Sequence, residues 1–562
     1  MDALEMTVWV PKWGDRGSAS AVGHVRLGLL TRWLLLTSAI TLVCTVVCRD
    51  IRTGEFDYNV DEAQHAVTGL FVADFIRDLP LRHPIQYTYS YYAQYPAVGI
   101  VHWPPLFYVF EGLSFLLLGP TVFAARLTVL LFLVLLLYQW FSLVEDWQDS
   151  YSAAVCTAIL GLLPMLLLFE KTVMLEIPSL ALSVGTVRYW IRYLERTDKT
   201  SLYKAGLWLS AALLCKQTSV YLFVFCILTL LVTGQWRRIR RRDAVIAGGI
   251  VALLAAPFLA LMLVVQGRAV ASDLGLHRLT GWARLTYYSE SLPHSFSPIL
   301  LVLALAGLAL AFRWDTRRHT TIMCCWVLAG YLTVTGFGQR DERFAIYWLP
   351  PLVYFAVGLL TQFFRTSLPH IAMRMMAIFL VVTLAVPGWR QQRPYIAGYR
   401  NVAAQLVNDY HAGIILFDGP VPGNFVFFIR ALDPARHFVT LRKLLYADNV
   451  RPGINTQELL RNKGDLTKAF QQYGVRFVIV SQNLGIRFES QRLLREQLAG
   501  DDFRLLGRFP VASNERSWQG EHLILYEKKQ WTPPVDRVLR IRMLTLPHDI
   551  EVPLWAFERG TP

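Results

Sequence analysis

Long apolar runs separated by short polar segments constrain the fold of this chain more than any other feature. They occupy most of the first 390 of its 562 residues. A run of about 20 apolar residues is long enough to cross the hydrocarbon core of a bilayer as a helix. The net charge of +14 does not indicate a nucleic-acid partner, because the arginines cluster between the apolar runs. The sequence therefore predicts an all-α polytopic membrane domain surrounded by membrane lipids.

The apolar runs divide into about eleven predicted transmembrane helices. The first of them is expected to be an uncleaved anchor, because no small-x-small cleavage motif precedes Arg49. The predicted helices cover residues 27–48, 121–143, 151–169, 177–194, 205–215, 218–234, 244–265, 297–313, 320–337, 344–364 and 371–388.

Four basic clusters determine the predicted orientation of these helices. The clusters cover residues 192–204, 237–242, 313–319 and 365–374. All four lie on one side of the membrane if residues 1–26 are cytoplasmic, as the enrichment of Lys and Arg in cytoplasmic loops predicts. The first loop, 49–120, and the C-terminal residues 389–562 then lie on the non-cytoplasmic side. We expect a bacterial inner membrane protein with a periplasmic C-terminal region.

An amphipathic stretch in the first loop, residues 104–119, is long enough to be mistaken for a span. Counting it as one would invert every later loop and place the basic cluster 237–242 outside. We therefore predict an interfacial helix that lies along the membrane surface, with Pro104 and Pro105 in its first turn. The membrane domain is expected to cover residues 27–388.

After Gly388 the apolar runs shorten to strand length and alternate with helical segments. This pattern predicts a soluble α/β domain over residues 389–562. Helices are expected at 456–473 and 490–498. The predicted strands are 414–417, 425–428, 477–480 and 523–526.

Asp61 and Glu62 follow closely after the first predicted span. Charged side chains this near a membrane are costly unless they are hydrated or paired, which favours a functional role. A solvated pair that caps a juxtamembrane helix is the simpler alternative. An EF-hand is disfavoured, because Glu62 takes the position of its glycine and Thr68 that of its last carboxylate. A metal site of Asp61, His65 and His102 is chemically open, but nothing in their spacing fixes its geometry.

Three further segments, 101–108, 170–178 and 338–344, lie on the same predicted side as Asp61. Together with the Asp-Glu pair, and in this order, they resemble the polytopic GT-C glycosyltransferases, in particular the branch of the protein O-mannosyltransferases and lipid A aminoarabinose transferases. The resemblance covers roughly residues 27–390. It implies an inverting transferase that takes a sugar from a polyprenyl-phosphate or polyprenyl-diphosphate carrier. The acceptor hydroxyl would belong to a lipid, a polysaccharide or a protein.

The resemblance also implies roles for individual residues. Asp61 is expected to be the general base, and Glu62 or Glu176 would orient the acceptor or hold Asp61 in position. The leaving phosphate needs cations rather than a proton. The candidate phosphate ligands are Lys216, Arg340, Arg343, His102 and Lys171. Such a reaction requires no cofactor, and a divalent metal is compatible with it but not indicated.

A transporter or flippase for an anionic lipid or solute is the alternative function that the charged residues permit. A transporter predicts charges near the middle of the membrane and a repeat between the two halves of the chain. Here the charged motifs crowd one face and the halves do not match. The pattern therefore favours the transferase.

Aromatic residues are frequent in the predicted non-cytoplasmic loops. They either stack on the faces of sugars or form the aromatic belt at the membrane interface, and the sequence leaves both roles open. The group comprises Tyr87, Tyr89, Tyr91, Tyr92, Tyr95, Trp103, Tyr287 and Tyr288.

The predicted topology can be tested with alkaline phosphatase fusions, since this reporter needs disulfides that form outside the cytoplasm. A fusion after Gly388 should be active, and one within the basic cluster 237–242 should be inactive. The reverse pattern of activities would contradict the predicted orientation.

Overall fold

A computed structural model of the chain describes residues 18–99, 101–238, 240–274, 282–315, 317–337, 340–362, 369–447, 455–483, 486–535, 538–546 and 548–554. The helices are α1 (Ser18–Cys48), α2 (Val60–Asp78), α3 (Pro84–Gln94), α4 (Leu106–Leu118), α5 (Val122–Glu145), α6 (Ser150–Gly161), α7 (Pro164–Glu170), α8 (Glu176–Arg196), α9 (Lys199–Cys215), α10 (Tyr221–Thr233), α11 (Arg241–Leu254), α12 (Ala256–Leu274), α13 (Trp282–Phe296), α14 (Pro298–Trp314), α15 (Arg317–Gly336), α16 (Leu349–Thr361), α17 (His370–Arg390), α18 (Tyr399–Asp409), α19 (Pro422–Leu432), α20 (Lys463–Tyr473) and α21 (Glu489–Leu498). Short 3-10 helices cover Gln217–Val220, Gln235–Arg238, Glu342–Trp348 and Arg516–Trp518. The strands are β1 (Ile396–Ala397), β2 (Gly413–Asp418), β3 (Phe438–Leu441), β4 (Tyr446–Ala447), β5 (Gln457–Glu458), β6 (Val475–Ser481), β7 (Phe503–Pro510), β8 (Ala512–Ser513), β9 (His522–Lys528), β10 (Val538–Ile541) and β11 (Ile550–Pro553).

Within the described ranges, four helices are long and apolar enough to cross a membrane. They are Gly28–Cys48, Val122–Glu145, Glu342–Thr361 and Ile371–Arg390. Three bent helix pairs raise the number to seven if each pair forms one span. The chain is therefore a multi-pass membrane protein. The count of about eleven spans, and the orientation of the chain, stay predictions.

Two of the predicted spans are interrupted at prolines. Residues 151–169 form the two helices α6 and α7, which are bent by 69°, and residues 244–265 fall on α11 and α12, which are bent by 44°. Pro164 begins α7, and Pro257 lies in the first turn of α12. Proline is tolerated at the start of a helix, where its missing N–H leaves no internal hydrogen bond unmade. Apolar content alone does not reveal such breaks, because the run continues through them.

The first loop folds into α2, α3 and α4. The helix expected within residues 104–119 is present as α4, and its position along the membrane surface stays a prediction. It ends at Gly119, whose φ of 82° favours glycine. Gly112 of α4 packs so closely on α2 that an added Cβ would lie 3.0 Å from the backbone nitrogen of Ala73. The two helices therefore form one closely packed unit.

The C-terminal region contains a five-stranded mixed sheet in the order β3-β2-β6-β9-β7. Strand β2 pairs in parallel with β3 and β6, and β9 pairs antiparallel with β6 and β7. The predicted strands 414–417, 477–480 and 523–526 lie in β2, β6 and β9. The sheet agrees with the α/β character expected for this region.

The predicted strand 425–428 is wrong, because these residues lie in α19. Phe425 to Ile429 are all buried, since α19 packs against both α18 and α2. A short continuous apolar run does not distinguish a buried strand from a buried helix. The helix expected at 456–473 is also shorter than predicted, because it begins at Lys463 after strand β5.

A buried ion pair joins α2 to the C-terminal region. The carboxylate of Asp74 accepts hydrogen bonds from Nε and Nη2 of Arg430 at 2.7 and 2.6 Å. Nη2 of Arg436 lies 3.2 Å from the same carboxylate, and all three side chains are buried. The two parallel bonds of Arg430 constrain distance and angle together. The far end of α2 is therefore held by residues that are more than 350 positions away in the chain.

Two contacts hold the near end of α2 and the segment before it. The carboxylate of Glu55 accepts backbone N–H bonds from residues 398, 399 and 400 at 3.0 to 3.1 Å, at the start of α18. Gly423 of α19 meets α2 so closely that an added Cβ would lie 2.9 Å from Cβ of Ala63. The C-terminal region thus positions the whole length of α2.

We expect the substitution Arg430→Met to lower the free energy of unfolding by about 3 to 5 kcal/mol, because it leaves the buried carboxylate of Asp74 without its main partner. Thermal and denaturant unfolding of the detergent-solubilised protein measures this loss. Arg504→Met is the control, since it breaks an ion pair with Glu527 in which the arginine is largely exposed. Equal stability of the two variants would contradict the structural role of the Asp74–Arg430 pair.

Candidate active site

Asp61 lies in the first turn of α2. The helix begins there because the side chain of Asn59 accepts the backbone N–H of Asp61 at 3.2 Å and so caps the helix. The side chain of Asp61 is 29% exposed. The alternative of a solvated Asp61-Glu62 pair that caps the helix is therefore wrong, because Asn59 is the cap and Glu62 is fully buried.

The carboxylate of Asp61 faces a pair of cations. Nη1 of Arg343 donates to Oδ2 of Asp61 at 2.9 Å, and Nε of Arg343 lies 3.7 Å from Glu176. Nζ of Lys216 donates to Glu176, whose side chain is almost wholly buried. Oδ2 of Asp341 lies 3.0 Å from the same Nε of Arg343. Three carboxylates and two cations thus meet at one place.

Each of these residues lies at a point where a helix starts or ends. Glu176 begins α8, Lys216 follows the last residue of α9, and Arg343 lies in the 3-10 helix after α15. The hydroxyl of Tyr347 bonds to Thr218 at 2.6 Å and lies 3.2 Å from the hydroxyl of Ser179. These bonds tie the three segments together behind the charged groups.

His65 forms a wall of the site, although the sequence indicated it only as a candidate metal ligand. It lies four residues after Asp61 and therefore on the same face of α2. Its Nδ1 is 2.7 Å from the hydroxyl of Tyr108, and its ring lies 4.4 Å from that of Trp103. Burial lowers the pKa of His65 to about 4, so the imidazole is neutral at physiological pH. The four-residue spacing from Asp61 is the signal in the sequence that places His65 at this site.

The charge state of Asp61 follows from its neighbours. Burial by itself would raise its pKa, but the charge of Arg343 and the hydrogen bond from it outweigh this effect. The pKa of Asp61 is therefore lower than its ordinary value. The group is a carboxylate at neutral pH and is able to accept a proton.

Glu62 does not share this site, although it was one of two candidates to hold Asp61. It is fully buried, and its carboxylate accepts the backbone N–H groups of Val173 at 2.8 Å and of Asp57. Arg126 lies 4.0 Å away. Adjacent helical residues point about 100° apart, so Glu62 turns away when Asp61 faces the cations. Glu62 fixes the segment before Glu176 to the start of α2.

Burial also shifts the pKa of Asp57, which lies beside Glu62. Burial and then the negative charge of Glu62 raise the pKa of Asp57 above its ordinary value. Asp57 and Asp61 are four residues apart, yet their pKa values shift in opposite directions. The difference arises because Asp61 faces a cation and Asp57 faces another carboxylate.

Two of the remaining predicted phosphate ligands, Lys171 and Arg340, contact other residues. Lys171 is buried away from Asp61, where it donates to the backbone oxygen of Gln391 at 2.6 Å and lies 3.8 Å from Asp50. The guanidinium of Arg340 lies 6.0 Å from the ring of Tyr287. Lys171 therefore belongs to a structural junction and not to the group around Asp61.

The metal site of Asp61, His65 and His102 is not assembled. Instead, the ring of His102 packs against Trp103 at 4.5 Å. Among the residues that the structure describes, no group of three or more His, Cys, Asp or Glu side chains is placed to hold a metal ion.

Known proteins share both part of the sequence and the fold. Residues 102–261 match the family model of the dolichyl-phosphate-mannose-protein mannosyltransferases. The crystal structure of ArnT from Cupriavidus metallidurans with bound undecaprenyl phosphate is similar with a TM-score of 0.53 and 12% identity, over 90% of this chain and 98% of ArnT. The chain therefore shares the fold of the GT-C glycosyltransferases.

The GT-C fold is also seen in two further structures. The oligosaccharyltransferase of Archaeoglobus fulgidus matches with a TM-score of 0.53 and 12% identity, over 80% of this chain and 69% of that protein. The arabinofuranosyltransferase AftD from Mycobacteria matches with a TM-score of 0.52 and 13% identity, over 91% of this chain and 42% of AftD. Among curated protein sequences, none matches this chain.

The opposite shifts of Asp57 and Asp61 predict a difference in the pH dependence of stability. A raised pKa in the folded state means that stability is highest below the ordinary pKa of aspartate, about 4, and falls as the pH rises through the folded pKa. Asp57→Asn should therefore become more stable relative to the wild type as the pH rises above 5. Thermal unfolding of the solubilised protein from pH 5 to pH 8 measures this difference.

Asp61→Asn is the matched control for this measurement. Because the pKa of Asp61 is lowered, its contribution to stability is present above pH 4 and is lost only on acidification. The stability of Asp61→Asn relative to the wild type should stay constant from pH 5 to pH 8. A constant difference for Asp57→Asn as well would show that Asp57 does not titrate as proposed.

Proposed function

We propose that the protein transfers a sugar from a polyprenyl-phosphate or polyprenyl-diphosphate carrier to an acceptor hydroxyl on the non-cytoplasmic face of the membrane, with inversion at the anomeric carbon. The observation that carries this proposal is the partly exposed carboxylate of Asp61 beside Arg343 and Lys216 within a GT-C fold. The bound undecaprenyl phosphate of the similar ArnT structure supports a carrier of this class.

Asp61 acts as the general base in this reaction. The acceptor hydroxyl gives its proton to the Asp61 carboxylate as its oxygen bonds to the anomeric carbon. The bond between that carbon and the phosphate oxygen breaks on the opposite face, and the lipid phosphate takes the electron pair. Arg343 and Lys216 stabilise the negative charge that the phosphate carries away.

The pairing of Arg343 with Asp61 links binding of the donor phosphate to activation of the acceptor hydroxyl. Three carboxylates share two cations, so a phosphate that binds here competes with Asp61 for Arg343. Once Arg343 turns to the phosphate, Asp61 loses the contact that lowers its pKa and becomes the stronger base. The donor therefore prepares the base for the acceptor.

Glu176 orients the cations in this scheme. Its buried carboxylate contacts Lys216 and lies 3.7 Å from Arg343, so it fixes both before the phosphate arrives. A buried lysine without such a partner would be costly and would tend to lose its proton. His65, neutral and bonded to Tyr108, forms the adjoining wall without adding charge.

Asp61→Asn should lower sugar transfer by about 10²- to 10⁴-fold, the contribution typical of a general base, while binding of undecaprenyl phosphate is retained. Transfer from a radiolabelled polyprenyl-phosphate sugar by the purified protein measures the loss.

The matched control is Asp243→Asn. Asp243 also lies in the first turn of a helix, α11, and bonds to Tyr203 at 3.0 Å on the predicted cytoplasmic side. This variant should transfer sugar at the wild-type rate. Undiminished transfer by Asp61→Asn would refute the assignment of the base.

A further inference from the structure

A cavity of about 550 Å³ opens between the start of α3 and strand β11. It is formed by two parts of the chain that are far apart in sequence, the first loop and the last hairpin of the C-terminal region. The side chains that define its chemistry are Arg82, His83, Gln86, Tyr89, Ser90 and Glu551. Its volume is within the range of small-molecule binding sites.

The structure separates the roles of the tyrosines in the first loop. Tyr91, Tyr92 and Tyr95 are buried in the core, and Tyr87 donates to Asp78 at 2.6 Å. Tyr89 is partly exposed and lines the cavity, with its hydroxyl 3.3 Å from Nε2 of His548. Its ring is therefore held in place at one end while it borders an open site, as a ring that stacks on a sugar must be.

The cavity lies at some distance from Asp61. The bond between Tyr87 and Asp78 fixes the start of α3 to the end of α2. Asp61 and Asp78 lie near opposite ends of α2, and the helical rise of 1.5 Å per residue separates them by about 25 Å. A ligand in the cavity therefore does not reach the reacting carbon, whereas an extended chain of several sugar units spans the distance.

The lining combines apolar side chains, among them Ile85, Val552 and Pro553, with polar ones, which suits a sugar with its apolar faces and its hydroxyl groups. Arg82 and Glu551 carry opposite charges, and Glu551 also lies 3.4 Å from Arg540. Gln86 and Ser90 offer neutral donors and acceptors of hydrogen bonds. Neighbouring hydroxyl groups both donate and accept, so a sugar satisfies this set.

We propose that this cavity is a distal subsite for a glycan acceptor, in which one sugar unit stacks on Tyr89 while another presents its hydroxyl to Asp61. The inference rests on the proposed function and narrows its acceptor class to an extended oligosaccharide or polysaccharide. Simultaneous contacts at the two positions raise the affinity for long chains over short ones.

The experiment measures binding of the detergent-solubilised full chain to an array of linear hexose and pentose oligosaccharides of one to eight units. Wild-type protein should bind with an affinity that rises with chain length. Tyr89→Ala should weaken binding to the longest chains about tenfold, and Glu551→Gln should weaken it as well, with no change for single sugars. Thr88→Ala, a substitution on the same helix outside the cavity lining, should bind like the wild type.

Two cross-controls separate this inference from the proposed reaction. Tyr89→Ala should bind undecaprenyl phosphate normally, and binding of the array to Asp61→Asn should still depend on Tyr89. Transfer by Asp61→Asn alongside Tyr89-dependent binding would refute the catalytic assignment and leave the subsite standing. Binding that does not depend on chain length or on Tyr89, or Tyr89-dependent binding to phosphatidylglycerol vesicles instead of the array, would overturn the subsite.

Discussion

The contact between Asp61 and Arg343 is the interaction on which the site depends. Two cations and three carboxylates are brought together in a largely buried cluster, where an unpaired charge would be expensive. Each group is stable there because another compensates it. In the proposed reaction, the donor phosphate replaces one partner of Arg343. The same pairing thus stabilises the protein and, in the proposed reaction, prepares the site for an anionic donor.

The position of Asp61 depends in turn on the C-terminal region. Asp74 and Arg430 form a buried pair at one end of α2, and Gly423 packs against Ala63 at the other end. A buried bidentate pair constrains angle as well as distance, so it fixes a helix more firmly than apolar contact alone. The C-terminal region is therefore part of the framework of the site, and its last hairpin also borders the cavity beside Tyr89.

The sequence predicted the positions of helices and strands better than it predicted which of them contact one another. Most predicted helices coincide with helices of the structure, because apolar content and length determine which segments enter a membrane. The strand expected at 425–428 is a helix, since a short run buried on every side has no periodicity to read. Breaks before Pro164 and Pro257 were missed for a related reason, as prolines at helix starts leave the apolar run intact.

By itself, the sequence determined that the chain crosses a membrane, that a sheet-containing region follows residue 388, and that Asp61, Glu176, Lys216 and Arg343 are candidates for one site. These conclusions need only hydrophobicity, charge and the order of motifs along the chain. The tertiary structure alone decided which candidates meet. It placed Glu62 and Lys171 in structural contacts and brought His65 and Tyr108 to the wall of the site. Contacts between distant segments depend on how helices pack, and no local pattern records that packing.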